Sequence, residues 1–356
     1  MLKKLLVITL SLTLLWTMMG GAPCQAHEEM PLGQYFTLVD ENNNIIHQTA
    51  MRVHEGDEYI SADNARYKVM EIQGDIAICA YQGEERMPVV SFDSQRQAWV
   101  FKGQEIAVLS GEKKPTVAVY HTHSDESYLP SDGTESRAGN GGIYDVGEAF
   151  VDELKRLGFN VEYNKNNHNP HDINAYNRSR KTAVTLIKKE SPDVVVDIHR
   201  DAVPPDVYQA EVEGKEVTKI KLVVGKQNPN MKTNLEFAKQ IKAVMDKQSP
   251  GLSNGIFMGK GDYNQDLSPR AILIEVGSHT NDKDSAAKGV KLFANTMQSV
   301  LAGNSGQNQD PAAKPLSQDN QGAFTNVLIL LVVLSAAAGG FYLLNKGSGS
   351  KGSGRS

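Results

Sequence analysis

Cysteine is scarce in this chain of 356 residues, which contains only Cys24 and Cys79. Cys24 lies in an N-terminal segment that is predicted below to be a signal, so its cleavage would exclude an intramolecular disulfide. The formal net charge of -5 at pH 7 is small, and the chain has no basic patch. These absences exclude a disulfide scaffold and argue against nucleic acid as a partner. The fold must therefore rely on a buried core or on a bound metal ion.

The N-terminal residues 1–26 have the pattern of a secretory signal. Lys3 and Lys4 precede an apolar stretch over residues 5–19, and small residues lead up to Ala26. This order is typical of a signal peptide, with cleavage after Ala26. An uncleaved N-terminal anchor is the alternative. Both interpretations predict that the main part of the chain lies outside the cytosol.

A second apolar segment, residues 327–344, contains no charged residue. Its length is near the lower limit of the about 17–25 residues that a transmembrane helix needs. A Gly/Ser-rich tail over residues 345–356 follows, and it carries Lys346, Lys351 and Arg355. No Lys or Arg lies between Lys314 and the apolar segment. The positive-inside rule then predicts a cytoplasmic tail, with the main part of the chain on the extracytoplasmic side of the cell membrane.

The sequence between these ends predicts two domains and a linker. Residues 32–110 are predicted to form a smaller β-rich domain, because short apolar runs alternate with turn residues. Residues 114–302 alternate strand and helix patterns, including a helical apolar face over residues 143–157. This alternation predicts an α/β fold with a mainly parallel sheet and helices on both faces. Residues 303–326 are rich in Gly, Asn, Gln and Pro and predict a flexible linker.

Three polar clusters follow short apolar runs in the second predicted domain. The runs end before His-Thr-His-Ser-Asp-Glu-Ser-Tyr, His-Arg-Asp-Ala and Glu-Val-Gly-Ser-His-Thr-Asn-Asp. β-branched runs of this length are typical of strands that are buried on both faces of a parallel sheet. Sites in open α/β sheets lie beyond the carboxyl ends of the strands. The clusters therefore predict a hydrolytic zinc site, with two imidazoles and a carboxylate as ligands and a second carboxylate as base.

Glu275 is the most informative residue of these clusters. It follows an apolar run that is predicted to be a central strand, where an unpaired charge is costly. A carboxylate at such a place serves a metal-bound water or an ion pair. A buried pair with Arg270 or Arg200 is the alternative to a role in the site.

His123 and Glu126 can face one ion if the residues between them form a turn.

Several polar residues near the clusters carry open alternatives. His121 flanks His123 and is predicted to have a supporting position rather than to be a ligand. His168 and His171 lie in an Asn-rich loop and are predicted to be solvated. Arg200 and Asp201 follow the second run. They could fix a ligand, bind a substrate carboxylate or form a structural pair.

The three clusters together resemble the stage II sporulation protein P family. Tyr176, Asn177 and Arg178, which precede the second cluster, also fit this family. The resemblance covers about residues 114–301 and extends more loosely into the β-rich region. The family is related to the zinc-dependent N-acetylmuramoyl-L-alanine amidases, so the resemblance implies an amidase-like α/β fold. The predicted C-terminal membrane helix departs from the family, which typically has an N-terminal anchor.

The resemblance also implies roles for individual residues. His123 and His199 match the histidine ligands of a Zn²⁺ ion, and Glu275 matches the catalytic glutamate. Glu126 is the predicted second ligand, although its spacing from the first histidine is shorter than in the wider amidases. The alternatives for this ligand are Glu135 and Glu148.

The function that the resemblance implies is zinc-dependent cleavage of peptidoglycan, at the amide bond between N-acetylmuramic acid and L-alanine, during spore engulfment. The implied partners are a glycan-cleaving wall hydrolase and a membrane scaffold protein. Two alternatives remain open at the level of sequence. One is a zinc endopeptidase that cuts peptidoglycan cross-links. The other is a non-catalytic wall-binding protein with a degenerate amidase fold.

Overall fold

The computed structural model of the protein describes residues 29–31, 33–90 and 114–303. The predicted signal segment lies outside these residues, as do the linker beyond Gly303, the apolar segment 327–344 and the tail. Within the described ranges, no helix is both long and apolar enough to span a bilayer.

The N-terminal part consists of β-strands, which confirms the prediction of a β-rich region. Its strands are β1 (Phe36–Val39), β2 (Ile45–Thr49), β3 (Glu58–Ile60), β4 (Ala65–Gln73) and β5 (Ile76–Glu84). Strands β4 and β5 form an antiparallel hairpin. Gly74 at its turn has a φ of 66°, a left-handed conformation that glycine adopts without steric cost.

The remaining described residues alternate strands and helices. The strands are β6 (Thr116–Tyr120), β7 (Asn160–Tyr163), β8 (Val194–Asp201), β9 (Gln209–Val212), β10 (Lys215–Thr218), β11 (Ile220–Gly225), β12 (Ser253–Gly259) and β13 (Ala271–Ser278). The α-helices are α1 (Leu129–Asp132), α2 (Ile143–Arg156), α3 (Ala175–Glu190), α4 (Met231–Gln248) and α5 (Lys283–Gly303). Short 3₁₀ helices cover Pro205–Val207 and Gln265–Leu267.

The main sheet has eleven strands in the order β2-β1-β5-β4-β3-β12-β11-β13-β8-β6-β7. The pairs β7–β6, β6–β8 and β8–β13 are parallel, as is the pair β11–β12. Strand β11 is antiparallel to β13. The chain passes from β8 to β11 through the β9–β10 hairpin and not through a crossover helix. A crossover would be needed to make β11 parallel to β8 and β13. The prediction of a mainly parallel sheet in the α/β part is therefore confirmed, with this one exception.

Helices cover both faces of the parallel part of the sheet, as predicted. Val119, Ile198 and Ile274 lie in one core cluster with residues of α2, α4 and α5. On the other face, Ala118 and Tyr120 pack with residues of α3. Because successive side chains of a strand point to opposite faces, these alternating sets require helices on each side.

The N-terminal strands continue the same sheet instead of forming a separate one. Strand β3 pairs with β12, and β4, β5, β1 and β2 follow in order. Leu38 and Val69 share a core cluster with Phe257 and Leu273, which come from the α/β part. The two parts thus share backbone hydrogen bonds and apolar contacts, and their division into two domains stays a prediction.

Candidate metal centre

His199 and Glu275 occupy neighbouring positions near the carboxyl ends of two parallel strands. They are direct register partners between β8 and β13. Ile198 and Ile274, one residue earlier on each strand, point into the core beneath α2, α4 and α5. The alternation of side chains therefore directs His199 and Glu275 to the opposite face of the sheet.

The turn after β6 brings Glu126 between two histidines. Its Oε1 atom lies 3.2 Å from Nδ1 of His123 and 3.2 Å from Nδ1 of His199. Its Oε2 atom accepts a hydrogen bond of 2.9 Å from the backbone N–H of Arg200. The turn is fixed in part because Ser127 N donates to the carbonyl oxygen of Glu135 at 3.0 Å. Residues from β6 and β8 thus converge on one buried carboxylate.

A fourth side chain, Glu29, joins this cluster from the N-terminal segment. Its Oε1 atom lies 3.0 Å from His123 Nδ1, and its Oε2 atom lies 3.1 Å from His171 Nε2. Burial opposes ionisation of Glu29, but the charges of His123 and His171 hold its pKa well below the usual value. Nothing in the residues around Glu29 indicates this position, because the contact is made across more than ninety residues of chain.

The donor atoms of this cluster fit a metal ion. One donor atom from each of Glu29, His123, Glu126 and His199 lies within 4.8 Å of the others. Ligand atoms in a tetrahedral zinc site with bonds of about 2.0–2.1 Å lie about 3.3–3.4 Å apart. The separations of 3.2 Å around Glu126 Oε1 are close to this value. A pair of imidazoles with one or two carboxylates is also a donor set that zinc prefers.

The electrostatics of His199 also indicate a place for positive charge. Burial opposes its protonation, but the charges of Asp197 and Glu126 raise the pKa of His199 well above the usual value. Its Nε2 atom lies 3.1 Å from Asp197 Oδ1, outside hydrogen-bond geometry. Asp197 Oδ1 accepts a bond of 2.8 Å from Thr122 N, so this carboxylate is fixed behind the ring. A carboxylate behind a histidine is a common arrangement in zinc sites.

Glu275 is buried, and its Oε2 atom has no hydrogen-bond partner among the described residues. Burial raises the pKa of Glu275 to about 8, although the charge of Lys221 opposes this shift. Arg200, one of its two alternative ion-pair partners, instead donates to the carbonyl oxygens of Ser127 and Glu135. An unsatisfied buried carboxyl oxygen is costly, which favours a chemical role for this group.

A buried ion pair borders Glu275 on its other side. Lys221 is the register partner of Glu275 on β11, and its Nζ atom contacts Asp201 Oδ2 at 2.5 Å and Thr49 Oγ1 at 2.8 Å. Asp201 Oδ1 accepts a bond of 2.8 Å from the backbone N–H of Ala50. Of the alternatives for Asp201, the structure shows the structural pair, and this pair joins the segment after β2 to the sheet.

The alternative ligands lie outside the cluster. Glu148 is exposed and pairs with Lys165. Glu135 is not among the four residues whose donor atoms converge. His121 is also outside this group. Its ring bonds the carbonyl oxygen of Ile198 at 2.9 Å and the hydroxyl group of Tyr163 at 2.8 Å.

The prediction that His168 and His171 are solvated is wrong. His168 is buried and bonds the carbonyl oxygen of His121 at 2.7 Å. His171 is partly buried, and its ring stacks on His123 with centroids 3.7 Å apart. The loop after β7 folds back over the turn after β6, where His168 N donates to Ser124 Oγ at 3.0 Å. The polar composition of this loop therefore reflects contacts with the cluster and not exposure to solvent.

A model of the family "Stage II sporulation protein P" matches residues 37–298. The Stage II sporulation protein P of Bacillus subtilis (strain 168) is 30% identical over 209 residues, which are 54% of this chain and 52% of that protein. The chain thus spans about half the length of this curated relative.

Similar solved structures include N-acetylmuramoyl-L-alanine amidases. The Mycobacterium smegmatis enzyme is 17% identical, with a TM-score of 0.35, over 53% of this chain and 95% of that one. The enzyme from Clostridium difficile 630 is 16% identical, with a TM-score of 0.35, over 55% of this chain and 100% of that one.

Proposed function

Because the chain belongs to the stage II sporulation protein P family, we propose that it is a zinc-dependent peptidoglycan hydrolase that acts in sporulation. The proposed cut is the amide bond between N-acetylmuramic acid and the L-alanine of the stem peptide. One observation supports it most strongly. Glu126 lies 3.2 Å from two histidine nitrogens, and one of those histidines lies beside the buried Glu275, whose Oε2 atom has no hydrogen-bond partner in the described part of the chain.

In the proposed mechanism, His123, Glu126 and His199 would hold the zinc ion. When bound, zinc would lower the pKa of a water molecule and polarise the carbonyl group of the substrate. Glu275 takes a proton from the attacking water and transfers it to the leaving amine of L-alanine. Burial raises the pKa of Glu275 towards neutral pH in the metal-free chain, so this carboxyl group can exchange a proton in that range.

We further propose that the described part of the chain lies on the extracytoplasmic side of the cell membrane, where peptidoglycan is found. Residues 327–344 would tether it as a membrane helix, and residues 345–356 would lie in the cytoplasm. A glycan-cleaving wall hydrolase and a membrane scaffold protein are the proposed partners. No nucleic acid partner is expected, since the chain lacks a basic patch.

Digestion of purified peptidoglycan with the full chain tests this function. Glycan strands that have lost their stem peptides are the expected product. Intact stems with cut cross-links would instead identify an endopeptidase. A folded protein that binds peptidoglycan without releasing products, and that holds no zinc, would be a wall-binding protein. His54→Gln provides a matched control, because this partly exposed histidine lies far from the site in sequence and outside the cluster.

A further inference from the structure

The carboxylate of Glu29 links His123, a member of the candidate metal centre, to His171, which lies outside that group. One oxygen, Oε1, lies 3.0 Å from Nδ1 of the proposed ligand His123. The other oxygen, Oε2, lies 3.1 Å from Nε2 of His171. The two oxygens of one carbon atom are therefore recognised separately, one at the proposed ligands and one at His171.

His171 is held in place for this contact. Its Nδ1 atom lies 3.1 Å from Oδ1 of Asp125, whose Oδ2 atom accepts a bond of 2.6 Å from Ser136 Oγ. The ring also stacks on His123. Because a carboxylate oxygen faces each ring nitrogen, His171 donates from both nitrogens. About a quarter of the side chain (27%) is exposed, so a ligand that enters from solvent can reach the ring.

The arrangement that binds Glu29 also suits the proposed reaction. Hydrolysis of an amide places a second oxygen on the carbonyl carbon and leaves a carboxylate as product. That product has the same two oxygens on one carbon atom as the Glu29 side chain. A donor aimed at the carbonyl oxygen stabilises the negative charge that develops on that oxygen during attack.

We propose that His171 is a substrate-binding residue, whose Nε2–H donates to an oxygen of the carbonyl carbon under attack, and that Glu29 occupies this place as an internal analogue of the product. The assignment rests on the proposed function, and it adds a residue that donates a hydrogen bond to the substrate's carbonyl oxygen. The substrate class is a carboxylic amide whose product is a carboxylate.

The position of Glu29 follows from a short strand-like contact. Glu29 forms an antiparallel bridge with Met51, and Met30 N donates to the carbonyl oxygen of Ala50 at 2.8 Å. This tether gives the Glu29 carboxylate a high effective concentration at the site. A substrate or product carboxylate must displace the Glu29 side chain before it can contact His171.

Acetate is a suitable probe, because it is a carboxylate without other recognition groups. The full chain is loaded with Co²⁺, whose visible absorption reports a change of ligand, and acetate is titrated into three proteins. These are the wild type, Glu29→Gln, and Glu29→Gln combined with His171→Gln. Metal content and melting temperature are recorded for each, and His54→Gln serves as the matched histidine control.

Two differences in acetate affinity are expected. Glu29→Gln should bind acetate at least about 10-fold more tightly than the wild type, because the tethered competitor is removed. Adding His171→Gln should weaken acetate binding by about 10- to 100-fold, since a hydrogen bond between charged groups is lost. Turnover of a soluble muramoyl dipeptide by His171→Gln should fall by about 10²-fold, with His54→Gln unchanged.

The outcomes separate this assignment from the proposed function. Bound cobalt with equal acetate affinity in the single and double variants would overturn the role of His171. Equal affinity in the wild type and Glu29→Gln would overturn the position of Glu29. A parent chain that binds neither cobalt nor zinc would overturn the metal function itself, and with it the assignment of His171.

Discussion

His199 on β8 lies directly beside Glu275 on β13, in register across two parallel strands. One of these side chains is a proposed metal ligand and the other is the proposed base. The two residues lie on different strands, so each side chain can be substituted while the backbone of the other stays in place. The metal and proton-transfer functions of the site can therefore be tested independently.

The first prediction concerns the ligands. His123→Ala, Glu126→Ala or His199→Ala should each lower the zinc content of the purified chain, because each removes one donor from the cluster. Glu148→Ala is the matched control for Glu126→Ala, since Glu148 is exposed and outside the cluster. Zinc per chain is measured by elemental analysis. Full occupancy in Glu126→Ala, with loss of zinc in Glu148→Ala, would transfer the ligand role to Glu148.

The second prediction separates the base from the ligands. Glu275→Gln preserves shape but cannot accept a proton, so zinc should remain bound while turnover falls by about 10²–10⁴-fold. Zinc content, melting temperature and the release of stem peptides are measured on the same protein. Loss of zinc would make Glu275 a ligand. A less stable variant with near-normal turnover would make it a structural residue.

The third prediction concerns pH and stability in the metal-free protein. Burial raises the pKa of Glu275 to about 8 in the folded chain, whereas an unfolded glutamate has a pKa of about 4.3. Between these two pKa values Glu275 is protonated in the folded chain and ionised in the unfolded chain. Glu275 therefore favours the folded state at low pH. Its contribution is lost as the pH rises through about 8. The free energy of unfolding of Glu275→Gln, measured in urea, should therefore fall less than that of the wild type between about pH 5 and 8. Parallel curves would show that Glu275 does not titrate with a raised pKa.

The fourth prediction concerns the buried ion pair. Lys221→Met should destabilise the fold by about 3–5 kcal/mol, because it leaves the buried carboxylate of Asp201 without its cation. Lys215→Met on β10 is the control, since that lysine is exposed. Urea unfolding at neutral pH measures both variants. Similar small losses in the two proteins would show that the ion pair contributes little to stability.

The fifth prediction concerns membrane topology. Protease added to intact protoplasts should remove the described part of the chain and leave a membrane stub that contains residues 327–356. The reason is the distribution of lysine and arginine around the apolar segment. Immunoblotting with an antibody to the tail detects the stub. Complete protection of the described part would contradict an extracytoplasmic position.

The strands that carry the proposed site could be predicted from local sequence. The runs of Val, Ile and Leu before His199 and Glu275 are buried strands, and the place of the site follows from the rule that sites form beyond strand ends. The antiparallel position of β11 could not be predicted in this way. It depends on how the β9–β10 hairpin returns to the sheet, which periodicity does not specify.

The outer part of the candidate site was beyond prediction from sequence. His171 lies in a polar loop, whose composition is also typical of solvent-exposed turns. Glu29 comes from a segment next to the predicted signal, and no pattern connects it to a histidine far along the chain. Both positions are set by long-range packing of loops, whereas His199 and Glu275 are positioned by strands β8 and β13.

The pairing of β3 with β12 has a consequence for any shortened form of the protein. A chain that begins at residue 114 would lack β3, so the backbone of residues 256–258 would lose its hydrogen-bonded neighbour. Phe257 and Leu273 would lose the apolar contacts that the N-terminal strands make on the same side. An open strand edge beside a bare apolar surface promotes self-association. If such a fragment is insoluble, the loss of the N-terminal strands of the sheet explains it. A lack of activity in the fragment would then say nothing about catalysis by the full chain.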